Sequence, residues 1–256
     1  MSPLASGYAD VDDLLTMLRV GVETELGDAL RGLYVTGSLS YGDFDHGSSD
    51  IDFLAVTGRR FDGADRAALA AMHAGIAERY PVWAERIEGS YVLVDLLAHD
   101  APPAEPRPYV NQGRLWDPDP GYGQEWLLNR YVLHHRAIPL IGPPAAEMFP
   151  EVPEAAMRAA SVSSLHEEWE PLLQEPTILD DPHHAAYITL TLCRILHTAH
   201  VGGVASKRVA ARWVIEQYGD RWAGLVTAAL AWRHGEALDR REEILELIRF
   251  AATDLA

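Results

Sequence analysis

The sequence predicts an α+β protein whose strands are confined to the first half and whose second half is helical. Short β-prone runs occur at 33–36, 51–56 and 90–97, and none follows them. From Trp126 onward, apolar residues recur at helical spacing in six segments. Between the two patterns, residues 100–120 hold six prolines and read as a long irregular connection.

Taken in order, 11–30 reads as an opening helix, with Leu14, Leu15, Leu18, Val22, Leu26 and Leu30 on one side. Gly32 interrupts it, and the first strand, 33–36, ends at Gly37. A glycine- and serine-rich stretch, GSLSYGDFDHGSSD, leads into the second strand at 51–56. An alanine-rich helix over 65–80 is stopped by Pro81, and Glu88 precedes a third strand at 90–97. The helical segments fall near 124–136, 154–173, 183–201, 206–218, 221–234 and 239–255. Pro139, Gly142-Pro143-Pro144, Pro176, Gly202-Gly203, Gly219 and Gly235 punctuate them. We divide the chain into a first domain, 1–145, and a second, 146–256.

Composition narrows the function. The 256 residues carry 21 basic and 38 acidic side chains, a formal charge of −17, which argues against nucleic acid as a partner. No apolar run approaches the ~18 residues that cross a bilayer, and the first residues lack a basic-then-apolar leader pattern, so a cytoplasmic protein is expected. The one cysteine, Cys193, excludes an internal disulfide and a thiolate metal cluster.

The most informative stretch is Gly37-Ser38, eleven intervening residues, then Asp50-Ile51-Asp52. Aspartates at i and i+2 of an extended segment point to the same side and repel each other unless a cation or proton lies between them. Magnesium typically takes one or two carboxylates plus substrate phosphates, which suits an open nucleotide site. The Gly37-Ser38 turn offers backbone N–H groups and a hydroxyl to phosphate oxygens. A lone Asp-x-Asp carries little weight; in this order with strand and Gly-Ser it is far more specific.

That combination resembles the nucleotidyltransferase superfamily of DNA polymerase β type. Downstream, Leu192-Cys193-Arg194, Gly202-Gly203-Val204, Ser206-Lys207, Ala210-Ala211-Arg212-Trp213 and Leu140-Ile141-Gly142-Pro143 are similar to the aminoglycoside adenylyltransferases that modify streptomycin and spectinomycin. The resemblance runs from Tyr34 to about Tyr218. It implies a polymerase β-like domain, a small mixed sheet flanked by helices, followed by an all-helical bundle. It also implies an antibiotic-resistance enzyme that transfers AMP from ATP to a drug hydroxyl and releases pyrophosphate. Two Mg²⁺ ions, held by Asp50, Asp52 and Glu88, are implied, with Glu88 as the base. Asp95 is the rival base; seven positions from Glu88, it would face the other way on a regular strand.

For ATP the candidate residues are Gly37, Ser38, Ser49, Arg194, Ser206 and Lys207, the last being the only lysine. Ser206 reads as a helix N-cap, and Arg194 sits in a run apolar nearly all round. For the cationic drug they are Trp116, Asp181, His184 and Tyr187, in a cleft expected between the halves. Where streptomycin-modifying members have a carboxylate, ungapped counting from Arg194 reaches His184, with Asp180 and Asp181 just before it. This departure speaks against streptomycin specificity and leaves spectinomycin, or another acceptor, equally open. A monomer is expected.

The pairs His134-His135 and His183-His184 do not suit zinc, because adjacent helical residues face different directions. Glu167-Glu168-Trp169-Glu170 reads as a solvated helix face or an acidic cleft wall. Two other functions fit the same motifs: a transferase acting on a protein or other acceptor, and a non-catalytic nucleotide-binding regulator. Retention of Asp50, Asp52 and Glu88 argues against the latter.

Overall fold

A computed structural model describes Ser6–Trp116, Pro118–Asp181 and His184–Ala256. The chain falls into two compact units. One comprises Met1–Phe44, Ser49–Tyr122 and Val132–Glu151; the other comprises Asp45–Ser48, Gly123–Tyr131 and Val152–Ala256.

The first unit is built on a six-stranded mixed sheet. Its strands are β1 (Leu30–Val35), β2 (Ile51–Thr57), β3 (Ile87–Leu93), β4 (Tyr109–Asn111), β5 (Arg114–Leu115) and β6 (Ile138–Ile141), in the order β5-β4-β3-β2-β1-β6. Only β2 and β3 pair in parallel. A parallel pair needs a crossover, here the helix α3 (Gly63–Arg79). Its start is fixed by Asp62, whose Oδ1 accepts from the N–H of Ala64 and Asp65 at 2.8 and 2.9 Å, while Asp65 accepts from Asp62 N–H at 2.9 Å. The N-terminal helix α1 (Ala9–Leu26) buries Val11, Leu14, Leu15, Leu18, Val22 and Leu26, as its apolar spacing requires. These pack with Leu69 and Ile76 of α3 over Leu33, Phe53, Ala55, Ile87 and Tyr91 of the sheet. Each such side chain contributes about 1.5–3 kcal/mol when fully buried.

The second unit is helical. Its main elements are α6 (Glu154–Ser164), α7 (His184–Val201), α8 (Lys207–Tyr218), α9 (Asp220–Ala231) and α10 (Arg241–Asp254). Helix α7 is apolar on most sides and lies in the middle, with Ile188, Leu192, Cys193 and Leu196 fully buried among Ala210, Val214, Leu225, Val226, Ile244 and Ile248. The chain also contains the short helices α2 (Gly37–Tyr41) and α5 (Ala145–Met148), and α4 (Trp126–Arg136). Among the described residues, no helix is long and apolar enough to cross a membrane.

The α+β class and the helical second half match the sequence reading, and several details do not. The opening helix stops at Leu26, and Leu30 already belongs to β1. The third strand spans 87–93, so Glu88 lies inside it, and 94–98 form a 3-10 turn. The proline-rich connection holds two short strands, β4 and β5, too brief to show periodicity. Pro139 lies inside β6 and does not end an element; β6 is an edge strand, where a missing N–H is tolerated. The expected helix at 154–173 breaks into α6, a π-helical turn at Leu165–Trp169 and a 3-10 turn at Glu170–Leu173 that accommodates Pro171. His183, half of one histidine pair, lies outside the described residues.

Candidate active site

In the first unit the site begins where β1 ends. Thr36 N–H donates to the Asp52 carbonyl at 3.0 Å, which brings the following turn against β2. Gly37 has φ +60°, and a Cβ there would lie 1.8 Å from Asp52 Oδ2. Only glycine fits: the backbone is left-handed and the aspartate occupies the space of a side chain. Beside it, Ser38 Oγ is buried without a hydrogen-bond partner among the described residues.

Asp52 and Glu88 are register partners on the parallel strands β2 and β3. Partners on adjacent strands lie roughly 4.8 Å apart and project to the same face of the sheet. Residues on the other face, Ile51, Phe53 and Ile87, are buried in the core. The carboxylates thus face away from the helices α1 and α3. Tyr109 of β4 donates its hydroxyl to Glu88 Oε2 at 3.4 Å, and its ring meets Trp116 edge-on at 6.3 Å. Trp116 is 48 % exposed. Register therefore groups Asp52, Glu88, Tyr109 and Trp116, and Tyr109 is a member that the sequence reading missed.

Asp50 lies just outside β2, 3.7 Å from Arg86 Nε. Arg86 is buried, stacks 4.3 Å above Trp83 and donates through Nη2 to the Ser49 carbonyl. The segment leading into β2 is thereby tied to the one leading into β3; the sequence reading did not single out this arginine. Among the described residues, no three His, Cys, Asp or Glu side chains gather into a metal cage. Asp50, Asp52 and Glu88 alone would not enclose a metal. Paired carboxylates beside an unsatisfied hydroxyl suit an open magnesium site completed by substrate oxygens. Asp95 is exposed and sits in the 3-10 turn after β3, so strand alternation no longer separates it from Glu88.

In the second unit, Ser206 caps α8, its Oγ accepting from Val209 N–H at 3.3 Å, as its position before the helix suggests. Lys207 Nζ lies 5.2 Å from the centre of the Tyr187 ring. Arg194, on α7, has its Nε buried without a hydrogen-bond partner among the described residues. Tyr187 in turn meets Trp169 at 6.0 Å.

Trp169 closes the π-helical turn, a local distortion often found at functional sites. Within that turn Glu168 accepts from Gln124 N–H at 2.7 Å and Ser164 Oγ at 2.8 Å, and Glu167 accepts from Gln124 Nε2 at 2.6 Å. The run Glu167–Glu170 is therefore a held structure and not a merely solvated face. Asp180 is engaged by Arg241, whereas Asp181 Oδ2 lies 3.6 Å from His184 Nδ1. Burial pushes the Cys193 thiol up to about 12, which removes it as a nucleophile.

Two comparisons with known proteins bear on the fold and on the helical half. The structure is similar to the crystal structure of spectinomycin adenyltransferase AAD(9) from Enterococcus faecialis with ATP and spectinomycin, at a TM-score of 0.74 and 19% sequence identity, covering 95% of this chain and 98% of that one. At that identity the match establishes the fold. A family model described as aminoglycoside adenylyltransferase, C-terminal domain, matches residues 147–256. The matched stretch holds α7 and α8, so it is the helical half of this chain that is similar to that family.

Proposed function

We propose that the protein transfers AMP from ATP to a hydroxyl of a cationic aminocyclitol antibiotic, spectinomycin first, and releases pyrophosphate. The observation that carries this reading is the register of Asp52 with Glu88 beside the bare Cα of Gly37. The two carboxylates share one face of the sheet, next to a turn that only glycine can make, which supports reading Asp52 as a metal ligand and Glu88 as the base. The helical half supports the choice of acceptor, since the family model it matches is described as that of an aminoglycoside adenylyltransferase.

In this reading Asp50, Asp52 and Glu88 hold magnesium together with substrate phosphate oxygens, and the metal's contribution is to offset the charge of the triphosphate. Glu88 takes the proton from the attacking drug hydroxyl. Tyr109 donates to Glu88 and orients its carboxylate. Ser38 Oγ, unsatisfied in the protein alone, donates to a phosphate oxygen, and the Gly37 turn lets the backbone approach closely. Ser49 belongs to the same phosphate-binding set.

In the helical unit, Arg194 Nε and Lys207 supply positive charge to the triphosphate, and Ser206 orients the start of α8. Trp116 in the first unit, and Tyr187 and Asp181 in the second, are the candidate contacts for a drug's ammonium groups, each taken within its own unit. His184 beside Asp181 offers no permanent anion of its own, which favours spectinomycin over streptomycin. We place the reaction in the cytoplasm, where ATP is supplied, with the protein acting as a monomer.

The test is pyrophosphate release from ATP and Mg²⁺ across a panel of aminoglycosides and aminocyclitols. Release that requires spectinomycin or streptomycin supports the proposal. Release triggered only by a protein acceptor, or by none of these compounds, overturns it.

A further inference from the structure

The first unit contains a cavity of about 140 Å³ at the far ends of β2 and β3; one of its lining residues, Arg107, also reaches back toward the carboxylate end, 5.3 Å over the Tyr109 ring. Thr57 and Leu93, which line it, are the last residues of β2 and β3. They lie five residues beyond Asp52 and Glu88, about 16 Å at ~3.3 Å per residue. The floor is apolar and aromatic: Phe61, Tyr91, Leu93 and Leu96, with the Phe61 and Tyr91 rings edge-on at 5.3 Å. The Tyr91 hydroxyl is engaged with His73 Nε2 at 2.7 Å, so the cavity meets its ring.

The wall is of the opposite character. Arg59, Arg60, Arg66 and Arg107 line it against two carboxylates, Glu105 and Asp119, in a chain whose formal charge is −17. Arg66 is locked to Asp119 by two bonds of 2.7 Å, and Arg60 Nε to Glu105 at 3.0 Å. These pairs hold the proline-rich segment over the strand ends and neutralise both wall carboxylates. Arg107 is held differently. Its Nε donates to Ser90 Oγ at 3.1 Å, its Nη1 to the Gly121 carbonyl, and its plane lies 4.7 Å over the Tyr122 ring. With those two nitrogens engaged and no carboxylate partner among the described residues, its Nη2 edge is the donor for an incoming anion.

We infer that this cavity binds a small carboxylate with a flat apolar body, of benzoate size, its ring on Phe61 and Tyr91 and its carboxylate on Arg107. The volume matches: an apolar cavity of about 150 Å³ takes one benzene ring. Charge selects the anion, because Arg59, Arg60 and Arg66 are paired with Asp65, Glu105 and Asp119, and Arg107 is the lining arginine with no carboxylate partner among the described residues. A bare inorganic anion leaves the aromatic floor wet, and a neutral ring forgoes the guanidinium.

Isothermal titration of the full chain with benzoate at fixed ionic strength tests this, with benzamide and inorganic phosphate as controls. Benzoate is expected to saturate one site with Kd below about 10 mM, and benzamide and phosphate to bind at least about tenfold more weakly, the worth of one charge-assisted hydrogen bond. Arg107→Gln is expected to cost about tenfold in benzoate affinity. Arg60→Gln, at a side chain 73% exposed, is expected to weaken it by removing a positive charge and leaving Glu105 uncompensated on the wall. Benzoate binding should persist in Asp52→Asn, which separates this site from AMP transfer. No saturation by benzoate, equal binding of benzamide or of phosphate, or full affinity in both arginine variants overturns the inference.

Discussion

The two units support their charged chemistry in different ways. In the first, Asp52 and Glu88 stand on adjacent strands, where backbone hydrogen bonds fix their separation and face. In the second, Arg194 and Lys207 stand on helices, where burial of one face and an aromatic neighbour, Tyr187, set their direction. A strand register cannot drift, since a slip of one residue moves a side chain to the opposite face. A lysine on a four-carbon stem above a ring can adapt. Carboxylate geometry is therefore stiff and cation geometry compliant. Substitutions in the first unit should remove chemistry, and those in the second should weaken binding.

The largest effect is expected from Asp52→Asn. On the proposed function this removes a carboxylate that would hold magnesium and forfeits several kcal/mol of charge stabilisation, so kcat should fall by more than about 1,000-fold. Drug-dependent pyrophosphate release measures it; activity within tenfold of the parent would show that the stiff half is not the reacting half. Glu88→Gln is next. General-base loss costs about 10²- to 10⁴-fold in kcat, while calorimetric binding of ATP and spectinomycin should survive. If Asp95→Asn shows this pattern instead, the base lies beyond the strand.

A third prediction concerns stability in the first unit. His73 is buried on α3 behind the sheet, and burial lowers its pKa from 6.5 to about 4. The unfolded chain then binds a proton that the folded one refuses. Stability is complete above pH 6.5 and declines as pH falls towards 4, by about 3 kcal/mol at ~1.36 kcal/mol per unit. Urea unfolding at pH 7 and pH 4.5 should show the loss. Replacing both hydrogen-bond partners, His73→Phe with Tyr91→Phe, should flatten the pH dependence by a comparable amount; an unchanged slope would point to another group.

The smallest effect should come from the compliant half. Lys207→Ala removes one charge-assisted contact, so the KM for ATP should rise about 10- to 100-fold with kcat changed less. Loss of kcat at unaltered KM would mean that Lys207 acts on the transition state and that the contrast between the units is wrong.

Much of this arrangement is legible in the sequence because it is local. The i, i+2 spacing of Asp50 and Asp52 fixes a shared side of an extended segment, and Ser206 before Lys207 marks a helix start. The alanine- and leucine-rich periodicity from 184 onward becomes a buried helical core. The missed features depend on distant neighbours. Tyr109 lies on a three-residue strand whose existence depends on β3 beside it. Arg86 reads as an ordinary charged residue until its stacking on Trp83 is seen. The π-helical turn that holds Glu168 leaves no trace in a helical pattern.

The chain's own order of residues thus settled which groups exist, on what kind of element, and with what period. Only the tertiary structure decided that Asp52 would face Glu88, which follows it by thirty-six positions, or that Gly37 would lie against that aspartate. The reason is physical. Periodicity and capping are satisfied within a turn or two of backbone, whereas the parallel pairing of β2 and β3 forms only once α3 has carried the chain back and buried its apolar side on the sheet.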